Sequence, residues 1–290
     1  MYNAASPGFA LNTTVPSSAL VAVLVAALLH ATWNLMVKAS GDRLVTAAAQ
    51  VMLAGAVFLP VVLWRGFPSE AVWNLLASGI VQTAYLAALA TAYNRADLSF
   101  AYPIARGSAP IIIALGSLLG LSLVPGPGGW LALGLICGGV VGLGLASPAR
   151  HGLGASLLTG FLIATYITID GAGVRKVDDV LAYAASLYVL IAALVVPVVL
   201  MTRGFEVVRR AVVKDWPRHL AGGAATLGSY GLLLYASRLA PLSLVAAARE
   251  TAVVFAALGG WWFLDEKIGQ VRAGAVVVIA AGMIVLAITR

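Results

Sequence analysis

The sequence predicts an all-α polytopic membrane protein, with ten transmembrane helices arranged as two five-helix repeats of inverted topology. Of its 290 residues, 61% are hydrophobic and 10% charged, whereas a soluble globular chain carries about 25% charged residues. Apolar runs recur down the whole chain, and runs of roughly 20 residues are long enough to cross a ~30 Å hydrocarbon core. One offset of 143 residues pairs Trp73 with Trp216, Gly79 with Gly222, Thr83 with Thr226, Arg95 with Arg238, Arg106 with Arg249 and Gly116 with Gly259. Coinciding Trp and Arg pairs are costly to match by chance in a chain with 7 Trp and 18 Lys plus Arg, so the chain reads as a duplication.

Residues 1–17 form a short N-terminal lead-in without the basic n-region of a secretory signal. Apolar runs between Gly, Pro and charge punctuation then place spans at 18–39, 43–64, 70–94, 98–123, 127–147, 152–173, 180–201, 217–238, 242–264 and 268–289. Gly41-Asp42, Arg65-Gly66-Phe67-Pro68, Pro125-Gly126-Pro127 and Ser147-Pro148 are short breaks that make neighbours antiparallel. The longest break, 202–216, reads as a basic amphipathic turn at the membrane interface. The offset maps the third span onto the eighth and the fourth onto the ninth, so the repeats are 18–147 and 151–290. Five helices is an odd number, so corresponding helices cross in opposite directions, an arrangement that recurs in transporters.

The net charge of +7 is scattered over loops without interleaved aromatics, which argues against a nucleic-acid partner. The single cysteine, Cys137, excludes an intrachain disulfide and a cysteine-cluster metal site. No HExxH, CxxC or GxxxxGK[ST] pattern is present, and no catalytic Gly-x-Ser-x-Gly, so the expectation is no enzyme, no metal and no cofactor. Lys and Arg number 5 in the loops on the side of the termini and 11 on the opposite side, which by the positive-inside rule puts the 202–216 loop in the cytoplasm.

Polar residues inside the spans mark the candidate site. On the first span, His30, Trp33, Asn34 and Lys38 share one helical face. Trp33 and Asn34 line a substrate pocket or tie helices together, and Lys38 snorkels to the interface. His30 is a coupling candidate, because imidazole changes charge near neutral pH, or else a neutral core histidine. Gln82, Tyr85 and Tyr93 line up on the third span, and Ser99, Tyr102 and Arg106 on the fourth, where Pro103 and Pro110 open backbone carbonyls. Arg106 suits an anionic ligand group; its structural alternative is a salt bridge to Glu250 or Asp170. On the sixth span Tyr166 and Asp170 lie one turn apart, with Asp170 near the end, where it reaches the interface or meets a ligand. The eighth offers Thr226, Ser229 and Tyr230, and the ninth the adjacent Arg249 and Glu250. Each membrane-centre charge costs roughly 2.5–3.5 kcal/mol on insertion scales, so two arginines and a glutamate imply partners or a wet central cavity.

Several of these segments resemble the EamA-type drug/metabolite transporters. They are His30-Ala31-Thr32-Trp33-Asn34 with Lys38; Asn94-Arg95-Ala96-Asp97-Leu98-Ser99 leading to Tyr102-Pro103 and Arg106; and Ala240-Pro241-Leu242-Ser243 leading to Arg249-Glu250. The Phe263-Leu264-Asp265-Glu266 turn before Gly274 completes the set. The resemblance implies a carrier of two five-helix inverted repeats around a central cavity lined mainly by the first, third, fourth, sixth, eighth and ninth helices. It also implies small polar substrates, transport driven by protons or exchange, and cytoplasmic termini, which is opposite to the orientation from the lysine and arginine count. The family's glutamate after the ninth helix is present as Glu266, whereas the equivalent position 123 is Leu, and the second copy has Val245-Ala246 where the first has Tyr102-Pro103.

The resulting expectation is a secondary active carrier in the inner or plasma membrane for an amino acid, amine or aminophosphonate. Trp33, Asn34, Gln82, Tyr85, Tyr102, Arg106, Tyr166, Tyr230, Arg249 and Glu250 are its substrate-binding candidates, and His30, Asp170 and Glu250 its coupling candidates. The partners expected are a small-molecule solute and the bilayer, with monomer and homodimer both open. The rival readings are a multidrug or organic-cation exporter, which needs carboxylates and aromatics but not the arginines, and an integral membrane enzyme acting on lipid.

Overall fold

The computed structural model describes residues 15–38, 40, 42–95, 98–146, 152–255 and 269–289. The lead-in up to residue 14, Ser147-Pro148, Gly259, the Asp265-Glu266 turn and Arg290 lie outside the described residues, as do the side chains of Asn34, Lys38, Tyr93 and Ser99. The described chain contains α1 (Ser17–Lys38), α2 (Arg43–Arg65), α3 (Val72–Arg95), α4 (Leu98–Leu118), α5 (Pro127–Leu145) and α6 (Leu153–Gly173). It continues with α7 (Val180–Arg203), α8 (Phe205–Leu239), α9 (Leu242–Arg249) and α10 (Gln270–Ile288).

Among the described residues, six segments are long and apolar enough to cross a membrane: Leu44–Arg65, Ser69–Leu89, Pro127–Leu145, Leu153–Lys176, Val180–Arg203 and Gln270–Ile288. Their outer faces carry bare apolar side chains, such as Leu63, Ile80, Met201 and Ile284, on a protein whose interior is lined by Ala, Val, Ile and Leu. This is the solvation pattern of a multi-pass membrane protein, for which lipid replaces water at the surface. Helices α1, α4, α8 and α9 fall outside the six spans, and each places a charged or hydrogen-bonding group in the interior: His30, Arg106, Tyr230 and Arg249.

Three sequence-predicted boundaries differ. Helix α4 ends at Leu118, not 123, because Gly120 turns to φ +80° and Leu121 N and Gly120 N donate back to Gly116 O and Ser117 O, closing a Schellman cap. The segment 202–216 is not a turn, since α8 begins at Phe205. Its one non-helical residue is Asp215 (φ −123°, ψ 29°), two residues before Pro217, whose ring clashes with the preceding turn and whose nitrogen donates nothing. Helix α9 ends at Arg249, and the N–H groups of Glu250, Thr251, Val253 and Val254 donate three residues back, to the Ala247, Ala248, Glu250 and Thr251 carbonyls. The tightened, 3₁₀-like segment begins at the two charged residues of that span.

Helices α2 and α7 pack together and share their end chemistry. Asp42 caps α2 by accepting from Leu44 N and Val45 N, and Asp179 caps α7 by accepting from Leu181 N and Ala182 N. Each helix contains one proline, Pro60 or Pro197, and ends on a glycine with positive φ, Gly66 or Gly204. Arg65 at the end of α2 pairs with Asp179 at the start of α7 at 2.6 Å, and Arg203 at the end of α7 lies 3.4 Å from Asp42 at the start of α2. The two helices are therefore antiparallel, with a crossed ion pair at each end. Burial opposes ionisation of Asp179, but the Arg65 hydrogen bond, the Ala182 and Leu181 N–H donors and the Arg65 charge outweigh it and hold the carboxyl below its usual range.

Helices α5 and α10 are also antiparallel neighbours. Gly128 near the start of α5 meets Thr289 just past the end of α10, and deeper in, Gly139 faces Ile279 while Gly282 faces Ile136. A Cβ on Gly139 or Gly282 would stand 2.9 or 2.7 Å from the opposing isoleucine, so these glycines set the helix spacing. Between these two pairs, α1 packs on α8 and α3 on α6, and α4 sits against α5, α6 and α9.

Candidate functional site: a buried charge and tyrosine cluster

Arg106 is the ninth residue of α4, between Pro103 and Pro110, and Glu250 follows α9 directly. Nε of Arg106 donates to Oε2 of Glu250 at 3.1 Å, and Nη2 lies 2.8 Å from Oε1. Each side chain is 6% exposed. The structural alternative weighed for Arg106 is thus the one realised, with Glu250 rather than Asp170 as partner. The carboxylate neutralises the guanidinium and fixes its orientation, although Nη2 makes no hydrogen bond of its own among the described residues.

Arg249 is 5% exposed and differently placed. Its Nη2 meets Nδ1 of His30 at 3.0 Å, and its guanidinium lies 5.8 Å from the Tyr230 ring centroid. An arginine nitrogen can only donate, so His30 accepts through Nδ1 and is the neutral imidazole protonated at Nε2. His30 in turn sits 5.3 Å from the Trp33 ring, and Trp33 Nε1 donates to Oε1 of the fully buried Gln50 at 2.6 Å. Nε and Nη1 of Arg249 find no partner among the described residues. A buried donor left unsatisfied costs about 1–3 kcal/mol, more when charged, so this pair of nitrogens points to a ligand or water.

Beside Arg249 runs a row of tyrosines. Ring centroids are 5.7 Å apart for Tyr85 and Tyr166, 6.1 Å for Tyr166 and Tyr230, and 6.4 Å for Tyr188 and Tyr230. Tyr188 OH bonds the Thr226 carbonyl and hydroxyl, each at 3.1 Å. Behind the row lies Asp170, fully buried, which corrects the expectation that its position near the end of the sixth span takes it to the interface. Helix α6 has no room to turn it outward, because Gly171 and Gly173 press against Leu242, Tyr183 and Asn74. Its carboxylate accepts from Ser78 Oγ at 2.7 Å, Tyr183 OH at 2.8 Å and Tyr230 OH at 2.5 Å. Gln82 donates to Ser78 Oγ at 3.0 Å and stands 3.5 Å from Asp170 Oδ2.

The structure thus gathers Trp33, His30, Gln82, Tyr85, Arg106, Tyr166, Asp170, Tyr230, Arg249 and Glu250 into one interior network, with Tyr102 half-buried on α4. Sequence reasoning overlooked Gln50, Ser78, Tyr183 and Tyr188. Gln50 is the one amide of α2, which is a readable signal. Tyr183 and Tyr188 lie on α7, outside the helices that the family resemblance assigns to the cavity. Two clefts lie away from the cluster, at opposite ends of the bundle, one among Val15, Gly128, Leu244 and Thr289 and one among Asp42, Thr46, Arg218 and His219.

A lipid-facing helical exterior around a charged, hydrogen-bonded centre defines a polytopic membrane protein with an internal polar site. Residues 150–288 match the model of the EamA-like transporter family, a likeness over the second half of the chain that is consistent with an EamA-type transporter of the drug/metabolite superfamily. Among the solved structures that match, one crystal structure is similar with a TM-score of 0.72 at 20% identity, covering 93% of this chain and 96% of its own; at that identity the likeness concerns fold alone. No curated protein matches the sequence.

Proposed function

We propose that this protein is a secondary active carrier of the inner or plasma membrane that moves a small polar metabolite by alternating access, with Arg249 as the anchor for the anionic end of the substrate. The observation that carries this reading is the pair of unpartnered, buried Arg249 nitrogens beside the tyrosine row. Arg106, paired with the Glu250 carboxylate, orients and balances charge instead. Tyrosine faces next to Asp170 suit an ammonium group through cation–π contact, so an amino acid or aminophosphonate fits both ends of the site.

Two inverted repeats, 18–147 and 151–290, supply the frame for alternating access. Support comes from equivalent packing: Gly79 of α3 faces Leu190 of α7, while its counterpart Gly222 of α8 faces Gln50 of α2. Exchange of the halves also turns the α1–α8 contact into α6–α3 and leaves the antiparallel α2–α7 and α5–α10 pairs in place.

Thermal-shift measurements on the purified protein against amino acids, amines, phosphonates and nucleosides test this reading. A stabilising solute is expected whose effect is lost in Arg249→Gln; a hit that survives that substitution sinks the anchor role. The tyrosine row beside two carboxylates favours one second reading, export of an organic cation. In that case stabilisation comes from amines lacking an acidic group and persists in Arg249→Gln.

A further inference from the structure

We propose that Asp170 is a proton-binding site and that Tyr230 links its protonation to ligand binding at Arg249. This rests on the anion-anchor reading of Arg249, but the proton site itself stands on separate geometry.

Asp170 is a buried carboxylate whose hydrogen-bond partners are all neutral: the hydroxyls of Ser78, Tyr183 and Tyr230, with Gln82 at the margin. The titratable groups facing it are Tyr85 from α3, Tyr166 from its own helix, Tyr183 and Tyr188 from α7 and Tyr230 from α8. The cations nearest in sequence are directed to other acceptors. Arg175 donates to the carbonyls of Gly171 and Ser237, and Lys176 to Asn74 Oδ1. Arg106, Glu250, His30 and Arg249 form the adjoining cluster, joined to this one through the Tyr230 ring.

The chemistry of the cage separates Asp170 from Glu250. A guanidinium only donates, so it holds its carboxylate ionised, as Arg106 holds Glu250. A hydroxyl donates or accepts by rotating about its C–O bond, so this cage satisfies the carboxylate and the carboxylic acid without moving a heavy atom. On protonation, Asp170 gains one O–H, which it donates to a cage hydroxyl oxygen, and one hydroxyl that had donated to the carboxylate is set free. The geometry assigns that released hydroxyl to Tyr230, since it bonds Asp170 through its oxygen and lies under Arg249 through its ring. A freed Tyr230 O–H is a spare donor on the ring that Arg249 overlies, so proton and anion binding reinforce each other, and by linkage the anion draws a proton onto the protein.

Infrared titration of the full chain in lipid nanodiscs tests the proton site without any substrate. The expected result is a carboxylic-acid C=O signal that grows as pH falls, is absent in Asp170→Asn and is retained in Glu250→Gln. In Tyr230→Phe, which removes a donor to the ionised form, the midpoint is expected to move to higher pH. A signal that persists in Asp170→Asn, or a midpoint unmoved in Tyr230→Phe, overturns the assignment, and the second variant decides the matter if Asp170→Asn does not fold. A pH-indicator dye then reads coupling with glycine as probe, whose own groups do not titrate near neutral pH. Proton uptake on glycine binding, lost in Tyr230→Phe, supports the link, and binding without uptake overturns it. If glycine stabilises neither the protein nor its variants, the anchor reading loses this probe, while the infrared result still decides the proton site.

Discussion

Arg106 and Arg249 are paired by the 143-residue offset in the sequence, yet one meets a glutamate and the other a histidine and a tyrosine face. The difference traces to one neighbour: Gly107 follows the first arginine and Glu250 the second, and that glutamate reaches across to Arg106. Removing it strands a buried cation, so Glu250→Ala is expected to destabilise the protein by about 3–5 kcal/mol, measurable as a lower thermal midpoint in detergent. The double substitution Arg106→Met with Glu250→Leu is expected to recover most of that loss, because it removes the lone charge; no recovery would argue against the pair as the cause. Arg249→Gln, by contrast, deletes a cation without stranding a carboxylate and is expected to lower the unliganded midpoint far less than Glu250→Ala. The arginines were legible in the sequence from the shared offset. The Asp170 cage was not, because its donors Ser78, Tyr183 and Tyr230 come from three helices, and no spacing within α6 announces them.

At the level of helices, apolar runs placed most elements within a few residues, since burial and lipid exposure act on every turn. The differences fall where a local device overrides the run: the Gly120 cap, the break near Pro217 and the tightened turns after Arg249. Likeness between the two halves also extends beyond the 143-residue offset. Asp42 and Asp179, and Pro60 and Pro197, are 137 residues apart, and Gly66 and Gly204 are 138 apart, because the arm that opens α8 lengthens the second copy downstream of α7. The Arg65–Asp179 ion pair between α2 and α7 carries a pH signature. With its native carboxyl held below the usual range, Asp179 contributes stability that is present above the unfolded-state value and is lost as pH falls through the native one. Asp179→Asn is therefore expected to lower the thermal midpoint at neutral pH and to converge with the unsubstituted protein in acid. A constant gap across that titration would contradict the ionic contribution.

For the whole molecule, the proposed inverted repeats would have equivalent residues approach the membrane from opposite faces. Trp73 opens α3 and Trp216 lies beside the kink of α8, and both are exposed, at 79% and 55%, as expected of interfacial aromatics. Single substitutions Trp73→Cys and Trp216→Cys are expected to react with a membrane-impermeant maleimide from opposite sides of sealed vesicles, with buried Cys137 silent. Labelling of both from one side would refute the inversion, and the sidedness itself would decide between the orientation from loop charge and the one that the family resemblance implies.

The proposed inversion would place a midplane site at the centre of a frame able to open to either face, and Arg249 brings to that site two buried nitrogens with no partner among the described residues. The direct measurement is flux of the most stabilising solute in proteoliposomes holding either the unsubstituted protein or Arg249→Gln. Saturable flux in the first and its loss in a folded Arg249→Gln protein is the expected result. Equal flux from both, or none across the whole solute panel from well-folded protein, would contradict a carrier anchored on Arg249.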